Sequence, residues 1–365
     1  MKAAILRSIG LPLEIEELQL AGPKAGEVQV RIEAAGICHS DFHFISGDQI
    51  HPLPVVLGHE GAGIIQEVGP GVKSVSRDDH VVLLWRASCG HCEYCSRGRP
   101  ALCGVGRSIR ATGTLMDGTT RLQRANGDKV HHFLGVSCFA EIAVCPETSV
   151  IKIPNDVPMP IAALMGCSVM TGIGAVINTA RVEPGSSVLV IGAGGVGLSV
   201  IIGAVLAGAS RIIAADQAVS KLEMAASLGA TDTINASSTD LVAAVQMITG
   251  EGVDYSFEAI GTADTMSQAV QTLRPAGVAT LIGIARQDVA FSVNALDLVT
   301  REKSVKGSFY GSTRRAVDFH RLFELYKLGR LPLDRLLSRT YPLREINEAF
   351  RAILSGDVAR SVVIP

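Results

Sequence analysis

The chain has 365 residues, of which 47% are hydrophobic and only 4% aromatic, with 38 glycines, eight cysteines and a formal net charge of −2. Its length suggests two domains. Near-zero charge excludes a nucleic-acid or anionic-membrane binder, which needs a basic face, and eight cysteines in such a chain are too sparse for a disulfide scaffold.

The opening residues, MKAAILRSIG, lack the apolar core and cleavage site of a signal peptide. Residues 28–34, 63–68 and 80–84 read as short strands bounded by Gly, Pro and Asp, and no helical period dominates the first 150 residues. From residue 187 strands and helices alternate. Strands are expected at 188–191, 211–215, 253–259, 278–282 and 305–309, and helices at 196–207 and 220–228. That alternation predicts an α/β fold with a doubly wound parallel sheet. Residues 184–210 carry no charge and could pass for a membrane span. The glycines and turn signature inside them fit a buried strand followed by a buried helix better. Two amphipathic helices, 315–328 and 344–354, and a strand, 361–364, close the chain. The expected compartment is the cytoplasm, where cysteines stay reduced and serve metals or catalysis.

Gly192-Ala-Gly194-Gly195-Val196-Gly197 follows the strand VLVI and opens a helix. Gly192 permits the tight turn, Gly194 lets the backbone approach a pyrophosphate, and Gly197 allows close helix–strand packing. Asp216 ends the next strand. A carboxylate there binds both ribose hydroxyls and repels a 2′-phosphate, which favours NAD over NADP. Lys221 is placed to reach the same ribose.

Cys89, Cys92, Cys95 and Cys103 lie within 15 residues. Four thiolates at such spacing suit a closed tetrahedral zinc site, with an iron–sulfur cluster as the rival. A closed shell has no open position, so that site is structural. Cys38, His59 and Cys167 are dispersed, and spacing alone does not join them. Two thiolates and an imidazole would leave a fourth position for water or substrate.

GICHSDFH (36–43), GHEGAG (58–63), CGHCEYC with Cys103, the Cys167 region and GAGGVG with Asp216 occur in order. Together they make the chain resemble the zinc-dependent medium-chain alcohol dehydrogenases, nearly end to end. Residues 116–141, with DGTTR and HHFLG, resemble the longer, liver-type or class III-like branch. The resemblance implies a β-rich GroES-like catalytic domain (1–168), a Rossmann NAD-binding domain (169–311) and a return to the first domain (312–365). It implies two zinc ions per chain: a catalytic one on Cys38, His59 and Cys167 with Glu60 beside it, and a structural one on Cys89, Cys92, Cys95 and Cys103. Asp41 would orient His59, while Cys138 and Cys145 match no ligand position. Ser40 would accept the alcohol proton, a relay through the nicotinamide ribose would carry it to His43 near solvent, and a hydride would move to the nicotinamide.

By the same resemblance His39, Thr171, Val196, Ile282 and Arg360 join Gly192, Gly194, Gly195, Gly197, Asp216 and Lys221 around NAD. Trp85, Phe133, Leu134, Ile284 and Tyr310 would wall the substrate pocket. His39 stands where the family often has Arg against the pyrophosphate, and a histidine is a weaker, pH-dependent anion partner. NAD binding is therefore expected to loosen above about pH 7 relative to a His39→Arg variant. Equal dissociation constants for both proteins from about pH 6 to 9 would reject this.

The expected reaction is NAD-dependent oxidation of medium-chain or aromatic primary alcohols to aldehydes, and the reverse. One alternative is S-hydroxymethylglutathione dehydrogenase activity. Arg107 could meet a glutathione carboxylate there, although SGDQIHPLPVVLGHE lacks the acidic pair of that subfamily. Another is an enzyme with tightly held nicotinamide, and the non-enzymatic alternative is an NAD-binding sensor or structural protein. The expected partners are a small-molecule substrate and a second copy of the chain, as a homodimer with a tetramer possible, through 305–309; no nucleic acid or membrane is expected.

Overall fold

The computed structural model describes residues 1–356 and 358–365. It divides into two compact units, one formed by Met1–Cys167 with Arg314–Pro365 and the other by Ser168–Thr313.

The first unit is built on a sheet whose strands run in the spatial order Val150–Lys152, His80–Leu83, Glu60–Val68, Glu27–Gly36, Arg360–Ile364 and Leu337–Pro342. Val28, Val30, Ile32 and Ala34 alternate inward along the long strand and are buried in the main core of this unit or beside it. Register decides what meets at its end. Gly36 pairs with Glu60 on one side and with Val362 on the other. A Cβ on Gly36 would overlap the Glu60 carboxylate and come within 3.2 Å of the Arg360 guanidinium. Glycine at 36 thus leaves room for a charged pair inside the sheet.

Two helices occur here where no helical period was expected. His39–Ser46 is N-capped by Cys38 and buries only Asp41 and Phe44; Gly104–Thr112 buries only Gly106 and Ile109. Helices this short, with two buried positions each, leave no sustained apolar repeat to read.

The second unit holds a parallel six-stranded sheet in the order Asp232–Asn235, Arg211–Asp216, Ser187–Ile191, Val253–Glu258, Leu273–Leu281, Ser304–Gly307. Strand order reverses between Ser187–Ile191 and Val253–Glu258, which is the switch point where such sheets bind ligands. The uncharged residues 184–210 are the strand Ser187–Ile191 and the helix Gly195–Leu206, whose side chains are mostly buried. A helical run, Met159–Ala180, is long and apolar enough to cross a membrane, but 83% of its most apolar window is buried inside the protein. It reads as a core helix.

Candidate metal centres and dinucleotide site

Cys38, His59, Glu60 and Cys167 converge in the first unit, all buried, with their potential ligand atoms within 4.8 Å of one another. Cys38 caps a helix, accepting the Ser40 backbone N–H at 3.5 Å. His59 immediately precedes the strand that Glu60 begins. Asp41, fully buried, accepts from His59 Nδ1 at 3.0 Å and from the Gly58 backbone N–H at 3.2 Å. That bond fixes the tautomer and leaves Nε2, on the side of the Cys38 thiol, as the ligand atom. Contact with Cys167 holds the Cys38 thiol well below its usual range against the opposing effect of burial, and the reciprocal contact raises Cys167. Burial pushes Glu60 up to about 8, opposed mainly by Arg360.

This donor set fits a zinc ion. Two sulfurs and an imidazole nitrogen are its preferred ligands, and Glu60 Oε1 and Asp41 Oδ2 are buried acceptors with no hydrogen-bond partner. The Glu60 Oε2 atom pairs with Arg360 instead. Arg360 is not a surface cation; it is only 4% exposed. The family resemblance assigns it to NAD; its Nη2 atom pairs with Glu60, and its Nε has no hydrogen-bond partner. Removing one partner of such a pair strands the other charge. Arg360→Met is expected to lose about 3–5 kcal/mol of stability in urea denaturation, and Glu60→Gln in the same chain to restore most of it. A loss under about 1 kcal/mol would show that the pair is not structurally coupled.

Cys89, Cys92, Cys95 and Cys103 form the other cluster. Their sulfurs lie 3.5 Å (Cys92–Cys95), 3.7 Å (Cys89–Cys103) and 3.8 Å (Cys92–Cys103) apart. Zinc–sulfur bonds of about 2.3 Å in a tetrahedron place sulfurs at about 3.8 Å, so the thiols fit the ion as they stand. Backbone N–H groups of Cys89 and Cys92 point at the Cys103 and Cys89 sulfurs. The amides of His91 and Cys92 hold Cys89 down to about 6, as a metal-binding thiolate requires.

In the second unit Gly192 has φ 93°, open to glycine and strained for other residues, and a Cβ on Gly197 would overlap the Gly192 carbonyl. A Cβ on Gly194 would meet nothing within 4 Å, so the space over this turn is empty of protein. Gly195 and Val196 open the helix, half-buried. Asp216 accepts the Ala193 and Ala218 backbone N–H groups at 2.8 and 3.0 Å, and Lys221 Nζ stands 4.0 Å away. The cradle fits a dinucleotide: an N-terminal helix turn for phosphates and an oriented carboxylate for a ribose. Thr171 and Ile282 are buried in this unit.

On the helix after Cys38, Ser40 and His43 are three residues apart and share a face. Ser40 is half-buried, and His43 Nδ1 lies 3.2 Å from Asp48. His39 is exposed, with its ring 5.5 Å from that of His43.

The expected pocket residues fall in both units. Trp85 and Phe133 both face the His59 ring, at 6.3 and 5.8 Å between centroids. Phe133 and Leu134 are also part of the first unit's core, and Tyr310 is buried in the second unit. Ile284 is not a buried wall: its strand has ended at Leu281 and it is 45% exposed. Sequence reading missed Arg110, which donates to Gln49 at 2.7 Å and lies over the Phe44 ring, and missed His51, whose ring packs on Phe44 and Phe133. No motif marks either residue.

A doubly wound dinucleotide fold, with two zinc-suited donor sets in the same chain, defines a zinc-dependent dehydrogenase. The chain matches the family models for the alcohol dehydrogenase GroES-like domain over residues 24–155 and the zinc-binding dehydrogenase over residues 195–327. It is 41% identical over 366 residues to an S-(hydroxymethyl)glutathione dehydrogenase of Synechocystis sp., covering 99% of each chain. It is 39% identical over 373 residues to a class-3 alcohol dehydrogenase of Cereibacter sphaeroides, covering 100% of this chain and 99% of that one. Its fold matches the crystal structure of benzyl alcohol dehydrogenase from Acinetobacter calcoaceticus with a TM-score of 0.95 and 35% identity, over 100% and 98% of the two chains. The chain belongs to the zinc-dependent medium-chain alcohol dehydrogenase family, on its class III-like side. It is an oxidoreductase acting on small molecules with NAD and two zinc ions per chain.

Proposed function

We propose that the protein oxidises S-(hydroxymethyl)glutathione, the spontaneous adduct of formaldehyde and glutathione, with reduction of NAD. The buried set of Cys38, His59, Glu60 and Cys167 is the observation that carries the alcohol chemistry. The substrate reading is supported by whole-length relatives that bear that name at about 40% identity. It displaces the expectation of a medium-chain or aromatic alcohol to second place. Arg107, exposed on the helix Gly104–Thr112, is the candidate partner for a glutathione carboxylate.

Cys38, His59 and Cys167 hold the catalytic zinc, with Glu60 tied back to Arg360; Cys89, Cys92, Cys95 and Cys103 hold the structural one. Bound there, zinc supplies Lewis acidity that makes an alcohol hydroxyl acidic near neutral pH. The Ser40 hydroxyl accepts the alcohol proton. His43, steadied by Asp48, takes it on toward solvent. Gly192, Gly194, Gly195, Val196 and Gly197 seat the pyrophosphate, Asp216 and Lys221 the adenosine ribose, and Thr171 and Ile282 the remainder of NAD. The chain works in the cytoplasm as a homodimer, joined through the edge strand Ser304–Gly307, whose four residues are all exposed.

The second reading, aromatic primary alcohols, is favoured by Trp85, half-buried beside the His59 ring, an aromatic face on which a substrate ring could pack. An NAD-coupled assay with formaldehyde, with and without glutathione, beside benzyl alcohol and octanol, decides between them. Glutathione-dependent turnover that exceeds benzyl alcohol turnover supports the first reading. Turnover of benzyl alcohol alone overturns it.

A further inference from the structure

Glu258 ends the strand Val253–Glu258 with its side chain fully buried. Its Oε1 atom accepts the backbone N–H groups of Ile260 (2.9 Å) and Gly261 (2.6 Å) and the Thr265 hydroxyl (2.8 Å). Its backbone carbonyl accepts the N–H groups of Ile282 (2.8 Å) and Gly283 (3.0 Å). One residue therefore ties together the ends of two adjacent parallel strands. Register puts it beside Ile191, the residue before the Gly192 turn, and beside Leu281. The backbone has been cleared around this carboxylate. A Cβ on Gly283 would come within 2.7 Å of Glu258 Oε2 and overlap the Gly261 amide.

The second carboxylate oxygen, Oε2, is buried with no hydrogen-bond partner. No salt bridge to Glu258 occurs among the described residues. An acid left in this state is costly unless a positive charge comes to it. The switch-point crevice of a doubly wound sheet takes a dinucleotide in two halves. Asp216 marks the adenosine half, on the side of Arg211–Asp216 and Asp232–Asn235. Glu258 lies at the strand ends of the other half, next to Ile282. The ligand that the nicotinamide half receives is cationic when oxidised and neutral when reduced.

We propose that Glu258 is a positioning residue for the nicotinamide half of the cofactor, and that its charge stabilises the oxidised ring relative to the reduced one. The inference rests on NAD as the cofactor. It is tested by equilibrium binding of NAD+ and NADH to full-length, zinc-loaded protein, with no turnover involved. Glu258→Gln keeps an acceptor at Oε1 and removes the charge. It is expected to weaken NAD+ by at least about fivefold while NADH stays within about twofold, because only the oxidised ring loses a charge–charge attraction. Thr265→Val removes one hydrogen bond and keeps the carboxylate, so its ratio of the two constants should match the wild type. Should Glu258→Gln fail to melt cooperatively, Glu258→Asp carries the test, with both constants raised and their ratio unchanged. Equal weakening of both forms in Glu258→Gln, no weakening of either, or a changed ratio in Thr265→Val or Glu258→Asp overturns the proposal. Wild-type protein that binds neither form overturns the cofactor assignment and this inference with it.

Discussion

Cys38→Ala and Cys167→Ala are each expected to lower NADH formation by about a thousandfold or more, because Lewis-acid activation lowers the barrier by several kcal/mol. Bound zinc should fall from two ions per chain to one. Both thiols are nearly inaccessible, at 5% and 6% exposure, and their sulfurs stand in direct contact. Without either one, His59 and a single sulfur remain opposite a carboxylate already engaged by Arg360. That set lacks the three firm ligands a catalytic zinc needs. Loss of fold is separable from loss of metal. The Gly192 turn and Asp216 belong to the other unit, so NAD should still bind within about twofold of wild type, as sites with no shared partners behave additively. Full activity in either variant, or retention of both zinc ions, would remove these cysteines from the catalytic centre.

How much of this was legible depends on where partners sit along the chain. The stretch from Ser187 to Asp216 could be read because its pattern is local: an apolar strand, glycines at fixed offsets, a helix and an acid at the next strand end. The four clustered cysteines could be read for the same reason. Cys38, His59 and Cys167 could not be joined by spacing, since sheet pairing and packing bring them together; only the family resemblance joined them. The Glu60–Arg360 pair is an extreme case, with 300 residues between partners. Nothing local in Ala359-Arg360-Ser361 announces a carboxylate partner; the Gly36 register supplies it. The short helices His39–Ser46 and Gly104–Thr112 lacked a periodic signal. The strand Asp232–Asn235 (DTIN), at one edge of the parallel sheet, has one buried residue and reads as a loop. Phe133 shows a further limit, because it is core for its unit and at the same time a neighbour of His59.

Cys92→Ser is expected to release the structural zinc and melt residues 89–103 without unfolding the rest of the chain. That segment has almost no core of its own. The helix Glu93–Ser96 buries nothing, Pro100–Leu102 buries only Ala101, and Tyr94 and Leu102 are 41% and 37% exposed. Its order must come from the metal, as in small zinc modules where binding energy is folding energy. Arg97, followed by Gly98, is exposed within it, so trypsin reports the loss. Cleavage there should accelerate by about a hundredfold or more, since proteolysis tracks the population of the locally open form. Cys145→Ala supplies the control. That thiol is buried in the strand Ile142–Pro146, and burial pushes it above its usual range, where a metal would have to compete with its proton. Zinc content and tryptic cleavage should not change in it. The catalytic ion should remain in Cys92→Ser, with activity reduced rather than abolished, because Arg86 beside Trp85 is held by the carbonyls of Ala101 and Cys103 and loses them when the segment opens. A Cys92→Ser protein that keeps two zinc ions, or resists trypsin as the wild type does, would mean that packing rather than metal orders this lobe.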